Sequence, residues 1–441
     1  MHKFHKIQRL IKVKKIFFTL LLISIISIFS QTSCAQIAGN KPQKVEDVFL
    51  PEGDGVRVQV WVENLEIPWS LVFLPDGRVL VSERPGRIRL IKNGKLQENS
   101  YAKIDVAHVG EGGLMGLAIH PEFPWKPYVY AMHTYRKGEE LYNKVIRLKD
   151  NGLTGVFEKV IIDNIPGGRF HNGGRIAFGP DGMLYVTTGE TFHAELAQDL
   201  KSLGGKILRI TPEGNVPGDN PFKGSPIYSY GHRNPQGLAW NPFTGDLFES
   251  EHGPSGEFGR FAHDEINVIK KGVNYGWPNV IGAPGIKPYI DPLVVWEKTT
   301  PPSGITFYRG NLLKYLQGDL FVATLRSESL IRIRLQKNDG YKVTRIERWF
   351  SKDYSDGKYG RIRDVVEGPD GALYFLTNNR DGRGTPRPGD DRIYIIVPIV
   401  TTWLKQDIQT EEHLNKIKTD NEYAEHKMRG SPGRFGSSYL F

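Results

Sequence analysis

Gly174-Arg-Ile-Ala-Phe-Gly-Pro-Asp-Gly-Met-Leu-Tyr-Val-Thr187 reads as a strand, a tight turn and a second strand. Proline pre-sets φ at the turn's first corner, aspartate bonds its own backbone and glycine accepts a positive φ. The flanking Val, Leu, Tyr and Phe suit a pleated, buried surface. The same pattern recurs at Trp69-Ser-Leu-Val-Phe-Leu-Pro-Asp-Gly-Arg-Val-Leu-Val-Ser82 and Arg363-Asp-Val-Val-Glu-Gly-Pro-Asp-Gly-Ala-Leu-Tyr-Phe-Leu376. Looser copies run from Leu114 through Pro121 to Tyr130, from Gly237 through Asn241 to Phe248, and from Gly304 through Gly318 to Val322. Further strands follow, among them Gly86–Ile91, Lys206–Ile210, Glu265–Ile269, Leu330–Leu335 and Arg392–Val397. Antiparallel sheets repeated roughly every 45 to 75 residues predict an all-β fold, a six-bladed β-propeller of four-stranded sheets. Two packed β-sandwiches would share the short strands but not one turn recurring in one strand pair.

The chain of 441 residues, 39% apolar with 49 glycines, has the size and composition of a folded body. The formal charge of +9 is misleading, because Lys3, Lys6, Arg9, Lys12, Lys14 and Lys15 crowd the start and no acidic residue precedes Glu46. Without those six cations about +3 remains, which gives no case for nucleic acid as a partner. An apolar run from Ile16 to Phe29 follows, too short to span a bilayer comfortably, then Ser-Gln-Thr-Ser-Cys-Ala. Residues 1–35 read as an export signal, cleaved either after Ala35 or before Cys34, the second leaving that thiol for a lipid anchor. The lipoprotein reading is preferred, although Gln31 and Thr32 fit the usual lipid-attachment box poorly. The expected location is the periplasm or the cell envelope. Cys34 is the sole cysteine, so the exported body has no disulfide and no thiolate metal site. Residues 36–55 read as a linker, 56–400 as the propeller and 401–441 as a polar tail.

In a propeller, residues just before the first strand of a blade and just after the second lie at one end of the barrel, opposite the Pro-Asp-Gly turns. This rule gathers Glu111, His171, Arg233, Arg361 and Arg363 with Glu190, His252-Gly-Pro254, Arg326 and Asn378 around one mouth. The group holds a candidate base in His171, a carboxylate to orient it in Glu190 and four arginines. Those are ingredients for proton abstraction beside an anionic ligand. Arg87, Arg89, Arg332 and Arg334 fall on outer strands, where alternation is expected to point them at water. No dinucleotide glycine triplet, Gly-Lys-Ser/Thr loop or His-Glu-x-x-His motif is present. An exported oxidoreductase would then use a tightly held cofactor other than a nucleotide.

Seven motifs carry a resemblance to a known family: Gly110-Glu-Gly-Gly-Leu-Met-Gly-Leu-Ala-Ile-His-Pro-Glu-Phe123, His171-Asn-Gly-Gly-Arg175, Gly205-Lys-Ile-Leu-Arg209, Gly231-His-Arg-Asn-Pro-Gln-Gly-Leu238, Glu251-His-Gly-Pro254, Asp264-Glu-Ile-Asn267 and Asn274-Tyr-Gly-Trp-Pro278. Over about residues 60 to 398 the chain resembles the soluble pyrroloquinoline quinone (PQQ)-dependent aldose and glucose dehydrogenases of the glucose/sorbosone dehydrogenase family. The resemblance implies a six-bladed propeller with PQQ and Ca²⁺ at its mouth, an aldose substrate and a separate, unidentified electron acceptor. It implies that His171 takes the proton of the sugar C1 hydroxyl, with Glu190 as its partner. Arg233 and Asn234 match cofactor contacts, Arg233 beside the reactive oxygens. Arg361 and Arg363 match further cofactor-binding arginines, and Glu111 a polar residue facing cofactor or sugar. The main-chain carbonyls of Gly253 and Pro254 match calcium ligands. Glu265 and Tyr275 align with ligands of a structural calcium.

Two departures from the family pattern stand out. Arg326 occupies a position where a cofactor-binding Lys is frequent, which keeps the charge but changes its geometry. Phe170 replaces an Asp found in glucose-active members, so a broad aldose dehydrogenase is the expected activity rather than a glucose-specific one. The rival readings are a calcium-dependent lactonase-like hydrolase and a cofactor-free binding propeller. The first would want side-chain carboxylates on an axial calcium; the second has no need to keep His171, Glu190 and Arg233 together.

Overall fold

A computed structural model describes residues 37–39 and 45–399. Six antiparallel sheets form the predicted all-β propeller. Their innermost strands are Pro68–Phe73, Leu114–Ile119, Ile176–Phe178, Pro235–Trp240, Pro302–Phe307 and Ile362–Glu367, heading blades one to six in chain order. The second strands are Val79–Glu83, Tyr128–Lys137, Leu184–Thr188, Leu247–Glu251, Leu320–Thr324 and Leu373–Thr377. Val56–Val62 supplies the outermost strand of blade six, antiparallel to Ile393–Pro398, so strands from the two ends of the domain share one blade and close the ring.

The stretch read as a linker holds two strands. Asp47–Leu50 adds a fifth, parallel strand to Tyr341–Trp349 of blade five, and Ile37–Gly39 pairs with Val280–Gly282. The export segment with Cys34 and the tail 401–441 lie outside the described residues. Among the described residues no helix is long and apolar enough to cross a membrane.

The recurring turn has one physical basis in all three copies. Asp76, Asp181 and Asp370 each accept the backbone N–H two residues on through Oδ1, every time at 3.1 Å. The glycine that follows, Gly77, Gly182 or Gly371, has φ between +74° and +83°. Asp181 and Asp370 also accept the hydroxyls of Tyr185 and Tyr374 in the second strand. One short motif therefore sets both the turn and the register of its blade.

Both faces of each blade are buried against its neighbours. One apolar cluster joins Trp69 of blade one to Met115 and Tyr130 of blade two and Ile176 and Val186 of blade three. The second strands of blades one, three, four, five and six are buried at every position. This packing corrects the expectation for the outer-strand arginines. Arg332 is 1% exposed, with Nε 2.6 Å from Asp319 and Nη1 3.1 and 3.2 Å from Asp54 and Glu347. Arg89 is also largely enclosed, beside Glu83. Arg87 and Arg334 keep more than a third of their side chains in water. Alternation does not separate core from solvent when the next blade covers the second face.

Near the axis the inner strands approach too closely for side chains at some positions. A Cβ on Gly304 would stand 1.8 Å from Asp364 Oδ1. That carboxyl group instead receives Arg175 Nη1 at 3.0 Å, while Arg175 Nε donates to the Gln236 carbonyl at 3.0 Å. This ion pair fills the barrel beneath the mouth.

Candidate functional site

The ends of the first and second strands converge as the repeat predicts. His171 is 5% exposed and sits in the left-handed region at φ +53°. Its N–H donates to Glu111 Oε2 at 3.2 Å, and its carbonyl accepts from Thr191 N at 3.3 Å. Gly189 lets the two loops meet, because a Cβ there would lie 1.9 Å from the His171 carbonyl. The imidazole Nδ1 bonds Glu190 Oε1. An N–H at Nδ1 held by a carboxylate leaves Nε2 as the lone pair, the tautomer a base needs. Glu190 is itself placed from blade four, its N–H donating to the Arg233 carbonyl at 3.0 Å, and its Oε2 is buried without a partner.

The arginines differ in their partners. Arg233, 1% exposed, donates through Nη1 to the His252 carbonyl at 3.1 Å and through Nε to Glu257 Oε1 at 3.0 Å. Arg361 reaches Asp381 Oδ2 with Nε at 3.0 Å and Nη2 at 2.8 Å. Among the described residues no carboxylate is hydrogen-bonded to Arg363. Its Nη1 meets Gln236 Oε1 at 3.0 Å and Ser303 Oγ at 3.3 Å, and its Nε donates to the Asn378 amide oxygen at 3.2 Å once that amide is oriented to its neighbours. Burial, with repulsion from Arg361 and Arg84, pushes the Arg363 guanidinium down to about 9 despite the attraction of Asp381. Arg326 stands exposed in a turn, outside this buried group.

Glu111 would be raised by burial, but Arg383, whose Nη1 lies 2.6 Å from Oε1, leads the charges that hold it down at about 2. Asn234 is occupied as a brace: its Oδ1 accepts from Gly173 N and Gln236 Nε2, both at 3.0 Å. It thereby ties blade four to the loop that carries His171.

Three mouth residues were not singled out from sequence. His252 was named only within its tripeptide. It borders the small central cavity with Trp69, Glu111, Gln236 and Arg363, and burial pushes its imidazole down to about 3. Gln236 lies two residues beyond Asn234, a strand period that puts both on one face. Arg84 directly follows the second strand of blade one, so the end-of-strand rule applied to that blade would have found it. Its side chain clasps the Gly110 and Gly112 carbonyls. A cavity of about 600 Å³ between Val45–Asp47 and Val294–Lys298 lies away from the mouth and holds none of these residues.

The metal-ligand candidates separate into two places. The Gly253–Pro254 turn is backed by Asp264, which accepts Gly253 N at 3.1 Å and Thr300 N at 2.7 Å and is pushed up to about 6 by burial. Glu265 lies across the sheet from Glu251, and Asn267 from Glu249. Burial, then repulsion from Glu251, raises both Glu249 and Glu265, and Glu249 Oε1 and Asn267 Oδ1 have no partner. The Tyr275 hydroxyl is committed, donating to the Val268 carbonyl at 2.7 Å and accepting from Lys270 N at 2.8 Å. Only the main chain of Tyr275 is left to act as a ligand.

Known proteins resemble this chain in sequence and fold. The profile of the Glucose / Sorbosone dehydrogenase family matches residues 65–387. A putative glucose dehydrogenase of Thermus thermophilus superposes with a TM-score of 0.71 at 53% identity, over 78% of this chain and all of that one. The PQQ-bound aldose sugar dehydrogenase of Streptomyces coelicolor superposes at 0.68 with 38% identity, over 79% of this chain and 99% of that one. Aldose sugar dehydrogenase YliI of Escherichia coli is 33% identical over 74% of this chain and 91% of its own length. With residues 65–387, most of the propeller, matched by the family profile, the chain belongs to the glucose/sorbosone dehydrogenase family.

Proposed function

We propose that this chain oxidises aldose sugars at C1 to the lactone, using PQQ and Ca²⁺. The observation that carries the reading is the pairing, in one mouth, of a carboxylate-held His171 with a buried Arg363 that has no carboxylate of its own. A buried guanidinium that lies over the Trp69 ring and is hydrogen-bonded only to amide and hydroxyl groups among the described residues suits an anion, and the carboxylates and quinone oxygens of PQQ are such groups. The PQQ-bound relative supports that choice of anion.

Arg363 and Arg361 would hold the cofactor on one side and Arg233 on the other, with Arg326 at the rim. The Gly253 and Pro254 carbonyls would hold Ca²⁺, a hard ion suited to oxygen ligands. Bound PQQ supplies a two-electron acceptor for the C1 hydride. His171 Nε2 takes the C1 hydroxyl proton as the C=O bond forms, and Glu190 stabilises the resulting imidazolium. Arg233 favours negative charge developing beside it. Glu249 and Asn267, each with an oxygen left unpartnered among the described residues, and Glu265 beside them would suit a second hard cation whose role is structural.

The test is reconstitution. Protein purified without PQQ is expected to be inactive, and PQQ with Ca²⁺ is expected to restore dye-linked oxidation of aldoses without NAD. After chelation PQQ alone should fail until Ca²⁺ returns. A flat response over an aldose panel, together with no quinone binding on titration, would overturn the reading in favour of a binding propeller. Arg363→Ala should weaken PQQ binding by about 10- to 150-fold, the range of a charge-assisted hydrogen bond. Unchanged affinity in that variant would remove Arg363 from the cofactor site.

A further inference from the structure

Phe192 stands two residues after Glu190 beside the polar mouth and is 51% exposed. Its ring centroid lies 4.0 Å from that of His171, the planes inclined by 34°. Phe170 meets it edge-on at 5.6 Å and 87°. The Phe170 ring in turn has the Arg383 and Arg169 guanidiniums 5.4 and 5.7 Å away. One face of Phe192 therefore covers the base, while about half of the residue stays open to solvent.

The backbone is bent to place this ring. Thr191 and Phe192 both adopt the left-handed region, at φ +57° and +65°, although neither is glycine and Thr191 is β-branched. The bend is tied to the His171–Glu190 pair: Thr191 N donates to the His171 carbonyl, and Thr191 Oγ1 and His193 N donate to the Glu190 carbonyl at 2.8 and 2.9 Å. Unfavourable backbone held at the base to display a half-exposed ring marks a functional constraint rather than a core requirement.

We infer that Phe192, with Phe170 at its edge, is a specificity-determining residue that stacks on the C–H face of the pyranose whose C1 hydroxyl meets His171. The inference rests on the dehydrogenase reading for the reacting carbon. A pyranose turns hydroxyls outward and presents C–H bonds on its faces, so an aromatic face can bind it without asking for a hydrogen bond. The wall favours rings with an uninterrupted C–H face and gives little to hydroxyls projecting from that face. It also takes over the substrate-holding role at Phe170, where an apolar side chain makes no hydrogen bond to sugar.

The probe is 1,5-anhydro-D-glucitol, a pyranose lacking the C1 hydroxyl and so not open to oxidation there, titrated onto the PQQ- and Ca²⁺-loaded protein and onto the protein alone. Phe192→Ala and Phe192→Gly should weaken its binding by about 5- to 30-fold through lost apolar contact, with Phe192→Trp within about threefold of wild type. In turnover, KM for xylose and glucose should rise by a similar factor, with kcat and its pH profile nearly unchanged. Phe192→Gly relieves the left-handed backbone, so its thermal midpoint should not fall, which separates stacking from packing. Unchanged analogue binding and KM in Phe192→Ala would overturn the inference. So would a lower kcat and a shifted pH profile at constant KM, which would make the ring a shield for the base alone. Analogue binding that depends on Phe192 in a protein without PQQ-linked turnover would keep the wall and remove the dehydrogenase. PQQ-linked turnover with binding indifferent to Phe192 would do the reverse.

Discussion

His171→Gln is expected to lower turnover by about 10²- to 10⁴-fold, the usual loss when a general base is removed, while PQQ uptake stays near wild type. Glutamine is close to histidine in length, and the contacts of this loop with Glu111, Gly189 and Thr191 are made by the His171 main chain, so the loop geometry should survive. What disappears is the basic nitrogen. Loss of C1 oxidation should therefore show in kcat, in single-turnover reduction of the loaded protein, and in a flattened pH dependence. Near-normal turnover would remove His171 as the base and reopen the role of the Glu190 pair.

Arg332→Ala is expected to destabilise the propeller by about 3 kcal/mol, because it strips the one fully buried cation shared by Asp319 and Glu347 and leaves them the partly exposed Arg334 and Arg345. Arg334→Ala, whose side chain is 39% exposed, should cost less than about 1 kcal/mol. Chemical denaturation of the two variants checks the contrast. Folded Arg332→Ala should bind PQQ normally, since the cluster lies on the third strand of blade five, away from the mouth. Equal, small losses in both variants would show that the buried pairing contributes little.

The legible part of the site followed from topology alone. Knowing that first-strand starts and second-strand ends share one end of the barrel was enough to group Glu111, His171, Glu190, Arg233, Arg361 and Arg363. The same rule reached Arg326 but could not say that its turn leaves it outside the buried cluster. It also could not supply partners. Glu257 on Arg233, Asp381 on Arg361 and Arg383 on Glu111 come from loops whose course is set by packing rather than by any local motif.

The amino-acid sequence by itself determined the blade count and the turn chemistry, because a Pro-Asp-Gly corner needs only a fixed φ, a local side-chain bond and a glycine at positive φ. It also determined which residue types crowd one mouth. Only the tertiary structure decided that Val56–Val62 closes the ring, that residues 47–50 join blade five and that Arg332 is buried, since each depends on surfaces hundreds of residues apart or on an adjacent blade. It alone decided the charge state of the mouth as well. Arg361 and Arg363 are two residues apart and alike in sequence, yet one bonds a carboxylate and the other, over the Trp69 ring, bonds amide and hydroxyl groups, because the partners within reach of a buried side chain are fixed by the fold around it.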